Sequence, residues 1–99
     1  MIVIVATFKA KTGCEAELEK TLKTLIPYVQ KEEGTRMYTL HRGIEDTSKF
    51  LFYEVYQDTE SRNYHRSQSY VKEILGSIGG LVEEKPSINL YEEICSIDR

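Results

Sequence analysis

The strand-like segments of this chain are apolar on both faces, which constrains its fold more than any motif does. Residues 2–9, IVIVATFK, are rich in β-branched residues; they set Ile2, Ile4, Ala6 and Phe8 on one face and Val3 and Val5 on the other. Residues 49–57, KFLFYEVYQ, repeat the pattern, with Phe50 and Phe52 pointing one way and Leu51, Tyr53 and Val55 the other. An antiparallel sheet with one face in water alternates apolar and polar residues. These strands need cover on both faces, and 99 residues make one domain, 1–99, with few elements to provide it.

The remaining elements follow from spacing and caps. Thr12-Gly13-Cys14-Glu15 resembles a capping box, with Thr12 as N-cap and Glu15 reaching back, and it opens a helix over 13–31. Leu18, Leu22, Leu25 and Val29 form its apolar stripe. Pro27 predicts a kink or a new turn, and Gly34 the end of the segment. Residues 36–44 read as a second strand, joined by the turn Glu45-Asp46-Thr47-Ser48 to the strand 49–57 as a hairpin. Asp58 predicts the N-cap of a second helical region in two pieces, 58–66 and 68–76, the second capped by Ser67 or Ser69. Gly76, Gly79 and Gly80 mark a loose end, and after Pro86 residues 87–94 form the last strand. There is no repeat, low-complexity tract or linker.

The order β-α-β-β-α-β implies an α+β, ferredoxin-like domain, a four-stranded antiparallel sheet with its helices on one face. A second copy of the chain is the economical cover for the other face, as a two-fold dimer packed sheet on sheet. Small size points the same way, because a short chain buries a limited fraction of its surface.

Composition removes several classes of function. A formal net charge of -3 supplies no basic field for nucleic acid or an acidic membrane. No apolar run approaches the roughly 20 residues of a membrane helix, and the apolar start is too short for a signal peptide. Cys14 and Cys95 form no C-x-x-C and no metal-ligand spacing, which fits reduced thiols in a cytoplasmic protein. Cys14 falls in the first turn of a helix, where a thiolate is favoured, but no histidine accompanies it. No G-x-G-x-x-G, P-loop or G-x-S-x-G is present. His41 and His65 match no zinc spacing; a set of His41, His65 and Glu54 has only residue type in its favour, so no metal is expected.

The residues suited to chemistry are aromatic and few. Of seven tyrosines, Tyr38, Tyr53, Tyr56, Tyr64, Tyr70 and Tyr91 fall in the last three strands or the second helical region, and there is no tryptophan. Each offers a flat apolar face and a polar tip, suited to a planar aromatic ligand or, equally, to core and interface packing. His65, in Tyr64-His65-Arg66-Ser67, is the candidate general base or positioning group, against the alternative of a surface or capped histidine. His41 lies opposite in facing to Tyr38, Leu40 and Arg42, and a structural role is expected of it. Glu54 interrupts an apolar strand and needs a partner; Arg42, on the neighbouring hairpin strand, is the candidate, which predicts an intersheet ion pair at the dimer interface. Lys9, Lys11 and Glu83-Glu84-Lys85 read as solvated edges.

With these residues in view, the chain resembles the antibiotic biosynthesis monooxygenase family, including its quinol monooxygenase branch, over nearly its whole length. Ile2-Val3-Ile4-Val5-Ala6-Thr7-Phe8-Lys9-Ala10-Lys11 followed by Gly13 is similar to the family's first strand and helix entry. Glu33-Gly34 with Tyr38-Thr39-Leu40-His41-Arg42, and Phe50-Leu51-Phe52-Tyr53-Glu54-Val55-Tyr56 followed by Asp58, resemble its next two strands. His65 falls where the family's helix carries a histidine.

The resemblance implies a dimeric α+β barrel and a homodimer that oxygenates a small phenol, quinol or anthrone with O2, without flavin, metal or haem. It implies His65 as the base or orienting group, Tyr53, Tyr70 and Tyr91 as lining, and Glu54 as support. The chain departs from the family where a second histidine and then an aromatic residue often stand, at Tyr70 and Val71, and where tryptophan often follows the Tyr-Glu pair, with Tyr56 nearest here. Two alternatives stay open. One is an isomerase or degradative enzyme on the same fold, for which haem cleavage would want tryptophan and phosphate binding a cluster such as Arg42 with Arg66. The other is a non-catalytic ligand-binding or dimerisation module.

Overall fold

A computed structural model describes residues 1–99. In chain order the elements are β1 (Ile2–Lys9), α1 (Glu15–Lys23), α2 (Leu25–Val29), β2 (Thr35–Arg42), β3 (Lys49–Tyr56), α3 (Thr59–Ser67), α4 (Ser69–Ser77) and β4 (Ser87–Glu92). The strands form one sheet in the order β2-β3-β1-β4, and every neighbouring pair is antiparallel. This is the ferredoxin-like α+β arrangement, and each helical pair carries the chain across one intervening strand. No helix is long and apolar enough to cross a membrane.

The strand register assigns each side chain to a face. Ile4 lies opposite Glu54, and Glu54 opposite Tyr38, so these three share a face with Ala6, Phe8, Phe50, Phe52 and Tyr56. That face carries the core: Phe8, Phe50 and Phe52 pack with Leu18, Leu22, Leu25 and Val29 of the first helical pair and Val71 of α4. Leu18, Leu22 and Leu25 are fully buried, so the apolar stripe read from the sequence is the buried one. The opposite face has no helix on it. Val5, Leu51 and Tyr53 are only half-buried there, and Met37 and Tyr91 are exposed. The edge strand β4 is exposed along its whole length, including Ile88 and Leu90 on its helix side.

The helix boundaries differ from expectation for local reasons. Gly13 takes φ +89°, a left-handed turn that moves Thr12 out of capping range. Glu15 does reach back, but its Oε1 accepts the Gly13 N–H at 2.9 Å, and Cys14 at the cap position makes no side-chain bond. Pro27 has no N–H to give the carbonyl of Lys23, and α1 ends there. Asp58 caps α3 as expected, accepting from the Ser61 N–H at 2.8 Å. The break between α3 and α4 falls at Gln68, whose backbone is extended, and neither Ser67 nor Ser69 caps α4; the Ser67 hydroxyl donates to the Tyr64 carbonyl instead. Lys9, expected at a solvated edge, is tied by Nζ to Asp46 Oδ2 at 2.7 Å and Ser48 Oγ at 3.0 Å, which pins β1 to the β2–β3 turn.

Gly34 lies where the turn before β2 meets α3. A Cβ there would stand 2.1 Å from Ser61 Oγ and 2.4 Å from Ser61 Cβ. Gly34→Ala should therefore lower stability by about 1–3 kcal/mol through overpacking. Urea denaturation of G34A, alone and combined with Ser61→Gly, checks this. The clash account fails if removing Ser61's side chain does not reduce the loss.

Candidate active site

The chain's buried polar groups collect at one place between the helices and the sheet. Glu32 stands in the turn leading to β2, held by a hydrogen bond from its N–H to the Val29 carbonyl at 2.9 Å. Its carboxylate is buried and is a common acceptor. His65 Nδ1 lies 2.9 and 3.1 Å from its two oxygens, the Thr35 hydroxyl donates at 2.9 Å, and the Tyr70 hydroxyl donates to Oε2. Burial alone would push the Glu32 carboxyl up, but the hydrogen bonds from His65 and Tyr70 outweigh it and hold its pKa below the usual value. An ionised carboxylate can only accept, so Nδ1 of His65 carries the proton in this bond.

That assignment leaves Nε2 of His65 as the free ring nitrogen. It makes no hydrogen bond, and since no unpaired side-chain polar atom is sealed from solvent, Nε2 retains an accessible edge. The imidazole, itself buried, packs against the rings of Tyr38 and Tyr56, with centroids 5.3 and 5.4 Å away. Phe52 stacks on Tyr38 at 4.5 Å, which fixes that ring from the core side. Tyr28 stacks on Tyr70 at 4.8 Å, which steadies the hydroxyl on Glu32.

Glu54 occupies the sheet side of the same region. It is buried, and the Tyr56 hydroxyl donates to its Oε1 at 2.6 Å. Burial pushes its carboxyl up, against the hydrogen bond from Tyr56. Burial likewise pushes the phenols of Tyr38, Tyr56 and Tyr70 up, so all three are donors at neutral pH. The expected ion pair of Glu54 with Arg42 across a dimer interface is overturned. Glu54 faces the helices, and Arg42 lies opposite Phe50, where its guanidinium pairs with Glu19 of α1.

The structure thus brings together three of the five residues singled out in the sequence, His65, Glu54 and Tyr70. Tyr53 and Tyr91 lie on the uncovered face, Tyr53 opposite Val5 and Tyr91 opposite Val3 in the register. His41 lies on that face too, its Nε2 2.8 Å from the Thr39 hydroxyl. Glu32 and Thr35 were missed; their side chains look like ordinary turn polarity until the fold closes on them. A cleft of about 510 Å³ opens elsewhere, at the sheet end around Lys9, His41, Lys49 and Leu51. Another, of about 430 Å³, reaches Glu32 and Thr35 from outside and is walled by Gly34, Ser61 and Tyr64. The buried hydrogen-bonded groups, rather than the larger cleft, mark the site, because there a histidine is bonded to a buried carboxylate and packed on aromatic rings.

Comparison with known proteins decides the family. The model of the antibiotic biosynthesis monooxygenase family matches residues 1–76, from β1 into α4, and so takes in Glu32, Glu54, His65 and Tyr70. The chain belongs to the antibiotic biosynthesis monooxygenase family. Among solved structures it is similar to a candidate antibiotic biosynthesis monooxygenase from Caulobacter crescentus CB15, 26% identical, with TM-score 0.88 over 94% of this chain and 89% of that one. A conserved protein from Methanosarcina mazei Go1 is also 26% identical, with TM-score 0.89 over 94% and 92% of the two chains. A candidate family member from Deinococcus radiodurans, at 20% identity, shares the fold with TM-score 0.90 over 100% and 98%. An uncharacterized protein, sll1783 of Synechocystis, is 24% identical over 92% of this chain, which spans 62% of that relative's length. Family membership supports a general monooxygenase-like role.

Proposed function

We propose that the chain oxidises a small electron-rich aromatic molecule, a quinol, phenol or anthrone, with O2 at the Glu32–His65 site and without a cofactor. The observation that carries the reading is the buried imidazole itself. One ring nitrogen is committed to a carboxylate, and the other is unpaired and not sealed from solvent, in a ring packed against Tyr38 and Tyr56. A base in that setting accepts a proton from a phenol or an activated C–H, and Glu32 steadies the imidazolium that forms.

Ground-state O2 is a triplet, so it reacts with a closed-shell molecule only after one electron moves. The deprotonated substrate is the electron donor in this reading. It passes one electron to O2, and the resulting radical and superoxide combine into a peroxide on carbon. Loss of water from the peroxide leaves the carbonyl product. Apolar and aromatic walls favour the electron transfer by keeping the substrate anion and superoxide out of bulk water.

The test is oxygen consumption by metal-free, flavin-free protein given a panel of quinols and anthrones. Saturable uptake above autoxidation is expected. Uptake no faster than autoxidation across the panel would sink the reading and favour an isomerase or a binding module. We further propose that the working unit is a cytoplasmic homodimer, joined through the face that carries Val5, Leu51, Tyr53 and Tyr91. Sedimentation at micromolar concentration should give a dimer, and a charge placed at Tyr53 should shift it toward monomer. A monomer in the unmodified protein would contradict the proposal.

A further inference from the structure

The reaction just proposed asks for two proton carriers at one step, and His65 can be only one of them. His65 takes the first substrate proton and returns it to the peroxide after O2 has added. Water then leaves by a single elimination. The C–H proton goes to a base, the C–H electrons form the carbonyl, the O–O bond breaks, and the departing hydroxide needs a proton. His65 is the base at that moment, so it cannot also supply that proton.

We propose that Glu54, held by Tyr56 on the sheet side of His65, is the second proton carrier and delivers the proton that turns the departing hydroxide into water. This rests on the oxygenase reading above and deepens it. The geometry comes from three elements. Glu54 lies opposite Tyr38 in the β3–β2 register, and the rings of Tyr38 and Tyr56 are the two that pack on His65. Tyr56 donates to Oε1 at 2.6 Å, which leaves Oε2 without a hydrogen bond and, like Nε2 of His65, not sealed from solvent. The groups whose charge acts on Glu54 are Tyr56 on its own strand, His65 and Arg62 from α3, and Glu32 from the turn before β2, with Tyr38 facing it from β2. Burial outweighs the hydrogen bond from Tyr56 and the lowering effects of its neighbours, and the carboxyl is raised, while Glu32 is lowered. Two carboxyls driven apart in this way suit one acid and one anion at a shared site.

The cycle balances. The proposed cycle opens with Glu54 holding a proton and His65 free to accept one. After elimination His65 is protonated and Glu54 ionised, and transfer of that proton from His65 to Glu54 restores both. In sum the substrate loses two hydrogens and gains one oxygen atom, and one water is released per O2.

Glu54→Gln tests this, since the amide keeps an oxygen for Tyr56 to bond and loses only the proton. The first readout is infrared absorption of a protonated carboxyl at neutral pH. It is expected in the wild-type protein, absent in E54Q, and shifted in Tyr56→Phe, a variant that keeps the carboxyl if E54Q folds poorly. The second is the ratio of carbonyl product to O2 consumed. In E54Q oxygen uptake should continue while product formation falls about 10²–10⁴-fold and hydroperoxide accumulates. Product formation at the wild-type rate in E54Q, or no protonated-carboxyl band from Glu54 in the wild type, would overturn the proposal. If the wild-type protein takes up no oxygen, it is the oxygenase reading that fails, and the infrared band still decides whether Glu54 is a proton carrier.

Discussion

Glu32→Ala should cost about 3–5 kcal/mol of stability, because it strips the common acceptor from a buried cluster. The Nδ1–H of His65 and the hydroxyls of Tyr70 and Thr35 all lose their partner at once. Urea denaturation at neutral pH measures the loss; a cost under about 1 kcal/mol, the scale of one ordinary exposed hydrogen bond, would refute the account. The pH dependence adds a sign. Glu32 is lowered in the folded state, so its stabilisation is fully present above the ordinary carboxyl value of 4.5 and is lost as pH falls through the folded value. Glu54 is raised, so its contribution runs the other way: stability is gained as pH falls through its folded value toward 4.5. Glu32→Gln should reduce the acid loss, to which Glu19, Asp46 and Asp58 still contribute, and Glu54→Gln should remove the rise on mild acidification.

His65→Ala should lower oxygen uptake by about 10²–10⁴-fold, the usual worth of a positioned general base. The variant keeps Glu32 paired with Tyr70 and Thr35, so the carboxylate is not orphaned and the dimer should persist. The side chain removed is buried, and the vacancy lies against the rings of Tyr38 and Tyr56. Added imidazole should therefore restore part of the rate in H65A, with a pH profile that follows the free imidazole. Undiminished uptake in H65A would remove the base from the mechanism.

Much of the fold was legible because local chemistry and tertiary need agree. Doubly apolar strands, the stripe from Leu18 to Val29 and the Asp58 cap each name an element directly. Thr12 misled because a left-handed glycine intervenes, and backbone conformation at Gly13 is not written in its neighbours. The site was legible in part. His65 stood out as a titratable residue on a helix that must pack on the sheet. Strand alternation already separates Tyr53 from Glu54, since adjacent strand residues face opposite ways, so both could not line one space within a single chain. Glu32 carried no such signal. It sits with Glu33 before Gly34 as any polar turn would, and its partners His65 and Tyr70 are 33 and 38 residues away.

That separation in sequence has its own consequence. The fold interleaves two β-α-β halves, and Glu32 belongs to the first while His65 and Tyr70 belong to the second. Neither half holds the dyad alone. A chain cut in the exposed turn at Glu45 would yield two fragments, each without a site, and activity would report their reassociation. The site thus acts as a coincidence detector for completed assembly, present only when Gly34 and Ser61 have closed the seam between the halves.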